Sequence, residues 1–248
     1  MSIAIIGGSG LSRLPELTIK DEVDFETPWG KPSATIIIGE LNKIEVIFLP
    51  RHGSSHSIPP HKINYRANIW ALNKMAIKKI ISVNAVGGIT KLMNPNSIVV
   101  PDQIIDYTYN REHTFYDEDE DKNNIKHIDF TMPYSEMLRN QLIKAAQLIK
   151  LKIYKKGVYG VTQGPRLESA AEISRLEKDG CNIVGMTGMP EAGLAKEIGI
   201  DYACYSLVTN WAAGKSDENI TMEMIEKNLE DGLKNIKQLI FEVIKNCT

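Results

Sequence analysis

Residues 154–208 read YKKGVYGVTQGPRLESAAEISRLEKDGCNIVGMTGMPEAGLAKEIGIDYACYSLV, and the alternation inside this stretch decides the fold class. Tyr154 to Val161 predicts a strand. Gly164-Pro165 then breaks the chain and marks the start of a helix over Glu168 to Lys178. Ile183-Val184 is a second short strand, Pro190 to Ile198 a second helix, and Asp201 to Val208 a third strand running into a loop at Asn210. Strands and helices that alternate in this way make an α/β protein. Such folds hold their ligands just past the strand ends.

The same reading extends outward in both directions. Thr221 to Asn246 carries Ile225, Leu229, Leu233, Ile236, Ile240 and Val243 at spacings of three and four, which predicts a long amphipathic helix. Upstream, Tyr134 to Lys150 is helical through Leu138, Leu142, Ala145 and Leu148. Ile98 to Pro101 is short and extended, and irregular chain follows it. Lys79 to Asn84 is a strand closed by Gly87-Gly88, and Asn64 to Met75 is a helix behind the Pro59-Pro60 break. Ala34 to Ile38 and Ile44 to Leu49 flank Gly39 to Lys43 as a hairpin. Ser2 to Ile6 is a buried strand that enters a turn at Gly7-Gly8. No repeat and no linker divides the chain, so one domain over residues 1–248 is expected.

Composition narrows the function classes. At 43% apolar residues the chain can bury a sizeable core. A formal charge of −2 argues against a nucleic-acid surface, which needs a basic face to release counterions. No apolar run is long enough to span a bilayer, and Met1-Ser2 leads into an Ile-rich run too short for a signal peptide. Cys181, Cys204 and Cys247 match no metal template, and a reducing cytoplasm is expected with the first two packed as small apolar residues. The acidic run Asp117 to Asp121 reads as a solvated loop rather than a metal site.

Several short motifs carry chemistry. Gly7-Gly8-Ser9-Gly10 follows a strand and offers backbone N–H groups and the Ser9 hydroxyl to an anion, although it lacks the third glycine of a dinucleotide fingerprint. Arg51-His52-Gly53 follows another strand. The arginine fork suits phosphate oxygens, and His52 beside it can donate a further hydrogen bond. Asn84-Ala85-Val86-Gly87-Gly88 adds N–H groups and an amide, and Thr187 adds a hydroxyl. Taken singly, each has a plain alternative: a tight turn, a surface salt bridge or a helix cap.

The string Arg51-His52-Gly53…His56…Pro60-His61-Lys62-Ile63-Asn64-Tyr65-Arg66-Ala67-Asn68-Ile69-Trp70-Ala71-Leu72 resembles the methylthioadenosine phosphorylase branch of the purine nucleoside phosphorylases. Gly164-Pro165-Arg166, Gly185-Met186-Thr187 and Pro190-Glu191-Ala192 continue the match, which covers nearly the whole chain. The resemblance implies one domain around a twisted mixed β-sheet flanked by helices. It implies phosphate contacts at Ser9, Arg51, His52, Ala85 and Thr187, and Met186 packed under the ribose. It also implies a homotrimer, with a dimer of trimers as the alternative. Inorganic phosphate is the expected co-substrate, with no metal and no other cofactor.

Two positions read the base. Adenosine-type members carry aspartates in the loop that here contains Asn210, Trp211 and Ala212. Glu168 falls where inosine/guanosine phosphorylases hold the protonated N1. Asparagine can donate to O6 and glutamate can accept from N1–H, so both positions point to a 6-oxopurine, with Asn210 also steadying the charge that builds on the leaving base. A turn residue and a first-turn helix acid are their structural alternatives. At the ribose 5′ end the resemblance places His56 together with the start of the last helix. Met222 and Ile225 stand three apart there and suit a thioether, with plain core packing as the alternative. The expected reaction is therefore phosphorolysis of S-methyl-5′-thioinosine to hypoxanthine and 5-methylthioribose 1-phosphate. A general inosine/guanosine phosphorylase, an adenosine-type enzyme, a phosphate-independent hydrolase and a non-catalytic nucleoside binder remain the competing readings.

Overall fold

The computed structural model describes residues 3–8, 11, 17–116, 127–217 and 219–246. Ser9, the acidic run Asp117 to Asp121 and Cys247 lie outside the described residues. The elements run β1 (Ile3–Gly7), β2 (Thr18–Val23), β3 (Ile36–Leu41), β4 (Ile44–Pro50), α1 (Tyr65–Lys74), β5 (Lys79–Gly88), β6 (Ile98–Val99), β7 (Gln103–Asp106), α2 (Glu136–Leu148), β8 (Val158–Val161), α3 (Ala170–Lys178), β9 (Ile183–Gly185), α4 (Glu191–Glu197), β10 (Asp201–Trp211) and α5 (Met222–Asn246).

One mixed sheet takes all ten strands, in the order β2-β3-β4-β1-β5-β9-β8-β7, with β10 paired to β5 and β6. The α/β class and the mixed sheet flanked by helices are as expected. β5 is the branch point. Its first four residues lie parallel to β1, β10 runs parallel to it along its whole length, and its last two residues also pair antiparallel with β9. A strand covered on both faces must be apolar throughout, which β1 satisfies with Ile3, Ala4, Ile5 and Ile6. The pleat sends Ile3 and Ile5 toward α2 and α5, and Ala4 and Ile6 toward α1 and α4. Two apolar layers therefore clamp the sheet. At the far edge β2 is exposed and bears Lys20, Asp21 and Glu22, charges that discourage edge-to-edge pairing.

Several boundaries move from their expected places, with consequences for the site. β5 continues through Gly88 instead of ending at Asn84, so Asn84 to Gly88 belong to a strand rather than to a loop that wraps an anion. Gly88 is there for close approach: a Cβ would stand 1.7 Å from the Met93 carbonyl oxygen. β10 likewise runs on through Trp211, with a register shift between Val208 and Asn210, so Asn210 sits on a strand at a bulge. β8 begins only at Val158, since Tyr154 makes an isolated bridge to Val99. β7 occupies chain expected to be irregular. Helix α3 starts at Ala170, behind a capping box between Ser169 and Glu172.

Candidate active site

The ends of β1, β4 and β5 meet at one side of the sheet, where the Arg51 N–H donates to the Gly7 carbonyl at 2.9 Å. The Arg51 side chain turns inward and is 1% exposed. Its Nε and Nη2 grip both oxygens of Glu191 at 2.7 and 2.9 Å, Nη2 also donates to Ser82 Oγ at 2.6 Å, and Nη1 donates to the Val83 carbonyl at 3.0 Å. Burial opposes the charge on Arg51, but the field and hydrogen bonds of Glu191 outweigh it and raise the pKa above its ordinary value. The fork assigned to phosphate from the sequence is thus largely occupied inside the protein. Ser82 and Tyr202 complete the carboxylate's shell at 3.0 and 2.8 Å.

This buried network leads outward to the cleft. Ser82 Oγ lies 3.1 Å from Asn84 Oδ1, and Asn84 Nδ2 donates to Thr187 Oγ1 at 2.8 Å. Because Asn84 supplies the hydrogen on that side, the Thr187 hydroxyl is left able to donate elsewhere. Ala85, next along the strand, is exposed in the middle of an otherwise buried β5.

His52 differs from its expected role. Its Nδ1 lies 2.9 Å from the Ile58 carbonyl, which can only accept, so Nδ1 carries the proton and the neutral ring presents Nε2 as an acceptor. Burial and the neighbouring Arg51 charge push its pKa down to about 4. In this tautomer the free nitrogen accepts, whereas the sequence reading makes His52 a donor. The exposed His56, in the left-handed region at φ 56°, lies against it with ring centroids 4.6 Å apart.

The opposite wall carries the residues expected from the sequence to read the base. Glu168 precedes the cap Ser169, so it is not a first-turn helix acid. Its Oε1 accepts from Thr162 Oγ1 at 2.5 Å, and the Thr162 N–H is itself fixed to the Gly185 carbonyl at 2.8 Å. Glu168 and Thr162 line a cavity of about 400 Å³ together with Tyr107, Tyr109 and Gln163. Asn210 pairs with Gly87 across the sheet, its Oδ1 accepting from Thr209 Oγ1 at 3.0 Å and its Nδ2 donating to the Trp211 carbonyl at 2.8 Å. Trp211 is half-buried, and Ala212 is buried against Gly87. The half-buried Met186 packs so closely on Gly164 that a Cβ there would stand 2.5 Å from its sulfur.

At the third edge, Met222 is 60% exposed and Ile225 half-buried, so neither is a core residue. Asn228 Nδ2 donates to the Thr209 carbonyl at 2.7 Å and ties the first turns of α5 to the Asn210 strand.

Comparison with known proteins accords with this fold. The sequence profile of the phosphorylase superfamily matches residues 2–245. The chain belongs to the phosphorylase superfamily. It is 51% identical over 241 residues to a probable S-methyl-5′-thioinosine phosphorylase of Pseudomonas syringae pv. tomato, covering 97% of each chain. It is 45% identical to the 6-oxopurine nucleoside phosphorylase of Pyrococcus furiosus, over 94% of this chain and 90% of that one. Among solved structures, the methylthioadenosine phosphorylase of Schistosoma mansoni in complex with adenine superposes with a TM-score of 0.93 at 30% identity, covering 100% of this chain and 92% of that one.

Within this phosphorylase fold, reading the sequence alone passes over Ser82, Thr162, Tyr202 and Arg111, and gives no role to Glu191. Arg51 and Glu191 stand 140 residues apart, and nothing local in either segment announces a buried ion pair. Among the described residues no group of His, Cys, Asp and Glu is arranged to hold a metal, and no helix is long and apolar enough to cross a membrane. Cys181 and Cys204 are free and buried, as small apolar residues would be.

Proposed function

We propose that this chain catalyses the reversible phosphorolysis of S-methyl-5′-thioinosine to hypoxanthine and 5-methylthioribose 1-phosphate. The observation that carries the reading is the combination of Glu168, held by Thr162, with Asn210 at the β10 bulge and Ala212 just past the strand, where adenosine-type relatives are expected to have aspartates. Glu168 accepts N1–H, and Asn210 donates its remaining amide hydrogen toward O6 or N7. A 6-aminopurine would leave the Glu168 acceptor facing an unprotonated N1, and such unpaired buried groups discriminate by roughly 10⁴-fold in favourable cases.

Phosphate occupies the other side of the cleft. The Thr187 hydroxyl, oriented by Asn84, donates to one of its oxygens, and Ser9 and the Ala85 backbone complete the cradle. His52, with Nε2 as acceptor, takes the hydrogen bond of the P–OH. A phosphate oxygen attacks C1′ with inversion while the C1′–N9 bond breaks and its electron pair passes to the purine. The proton that hydrogen phosphate brings ends on the base, so charge and atoms balance. Arg51 acts behind this wall by fixing Glu191, Ser82 and Asn84. Met186 lies under the ribose, and Met222 and Ile225 with His56 face the methylthio group. The scheme calls on no metal and no cofactor beyond phosphate.

The active unit on this reading is a cytoplasmic homotrimer in which a neighbouring copy covers the exposed Met222 edge. A general 6-oxopurine nucleoside phosphorylase is the second reading, favoured by the 45% identity to the Pyrococcus furiosus protein of that name. Phosphorus NMR on the reaction with methylthioinosine tests the chemistry directly. The α-anomer of a sugar 1-phosphate should grow as phosphate declines. Base release with no change in the phosphate signal would move the protein to the hydrolases.

A further inference from the structure

We propose that Arg111 is a positioning residue that locks the two walls of the cleft to each other. It lies in the segment after β7, 8% exposed, with its guanidinium 5.4 Å from the Tyr65 ring centroid. Nη1 donates to the Met189 carbonyl at 2.6 Å, the Met186 carbonyl at 2.9 Å and the Tyr65 hydroxyl at 3.2 Å. Nη2 donates to the Gln163 carbonyl at 2.7 Å and the Thr162 carbonyl at 3.3 Å, and Nε to Gln163 Oε1 at 3.0 Å.

The placement of these acceptors gives the residue its role. Met186 and Met189 bracket Thr187 on the anion side, and Thr162 carries Glu168 on the base side. One planar group therefore fixes the spacing between the hydroxyl that meets phosphate and the carboxylate that meets the purine. Every acceptor is a carbonyl, amide or hydroxyl oxygen, whereas Arg51 is closed upon the carboxylate of Glu191. A guanidinium suits this task because its donors fan out in one plane; an ammonium carries only three on a point. Removing the fork takes the Arg111 donor from part-buried carbonyls on both walls, so both should loosen together.

The assignment of phosphate and purine to the two walls rests on the function proposed above, but the latch rests on the contacts. Arg111→Lys, followed by hydrogen exchange and mass spectrometry, separates the two. Peptides covering 162–164 and 186–189 should both exchange roughly tenfold faster, with β1 unchanged. KM for phosphate and KM for nucleoside should rise together, whereas Thr187→Ala raises only the first and Glu168→Gln only the second. If Arg111→Lys does not fold, Tyr65→Phe, which deletes one of the hub's contacts, should show a smaller change of the same pattern. Faster exchange in one wall alone, in neither, or uniformly across the chain overturns the latch. An unsubstituted chain that releases no base with phosphate present overturns the function instead, since the exchange readout needs no substrate.

Discussion

The wall proposed to face phosphate and the edge proposed to meet the ribose 5′ group are built in opposite ways. Arg51, Ser82, Asn84, Thr187 and Glu191 are all buried and joined by hydrogen bonds that begin beneath the sheet. Met222 stands 60% exposed at the start of α5, held near the site through Asn228. The anion wall shares its groups with the core, so its geometry is fixed by the same contacts that hold the fold. The 5′ edge can change at little cost to the fold. On the proposed function, the chemistry of phosphorolysis thus sits where substitution is expensive, and discrimination at the ribose 5′ position sits where it is cheap.

The comparison can be broken first at Glu191. Glu191→Gln leaves the Arg51 charge buried beside a neutral partner, and loss of one member of such a pair costs about 3–5 kcal/mol. Urea unfolding should show that loss; a change below about 1 kcal/mol would mean that the anion wall is not part of the structural core. The base wall should respond with less effect on stability. Asn210→Asp should shift preference toward 6-aminopurine nucleosides by roughly tenfold or more, since one misplaced hydrogen bond is worth about 1.4 kcal/mol. Steady-state kinetics with paired inosine and adenosine analogues would read it, and an unmoved ratio would remove Asn210 from base recognition.

His52 sharpens the comparison through pH. Its folded pKa of about 4 lies below the ordinary 6.5. Between those values the unfolded chain takes up a proton that the folded chain does not, so stability falls as pH drops from 6.5 toward 4. His52→Gln should flatten that part of the stability profile, and an unchanged slope would mean that His52 titrates normally. The smallest effect belongs to the exposed edge. Met222→Ser should leave stability within about 0.5 kcal/mol while lowering the preference for a methylthio over a hydroxyl group several-fold, about 1 kcal/mol of apolar contact. A loss of stability comparable to that of Glu191→Gln would erase the contrast between the two regions.

How much of this was legible in the sequence follows the same division. A continuous apolar run announced β1, and the strand–helix alternation announced the fold. The edge strand β2 was invisible because Thr18 to Val23 is charged and exposed, a pattern that solvent-facing loops share. The family resemblance pointed to Glu168, Asn210 and Thr187, and the hydrogen-bonding demands of a purine or a phosphate gave their side-chain types a meaning. Their settings were not legible. Asn210 lies on a strand because β5 supplies pairing partners through Gly88, and Glu168 stands ahead of its helix because Ser169 caps it. The setting of Arg51 was not legible for a related reason: its carboxylate partner is distant in sequence, and an arginine after a strand looks alike whether it faces a ligand or the core.

The central claim is most directly tested by placing methylthioinosine, inosine and methylthioadenosine together at equal concentration with the chain and phosphate, and following each free base and residual nucleoside by chromatography. The account predicts that methylthioinosine is consumed first, inosine more slowly and methylthioadenosine least, with nothing consumed when phosphate is left out. Consumption of methylthioadenosine ahead of methylthioinosine would contradict it, because Glu168 and Asn210 would then not be reading the base.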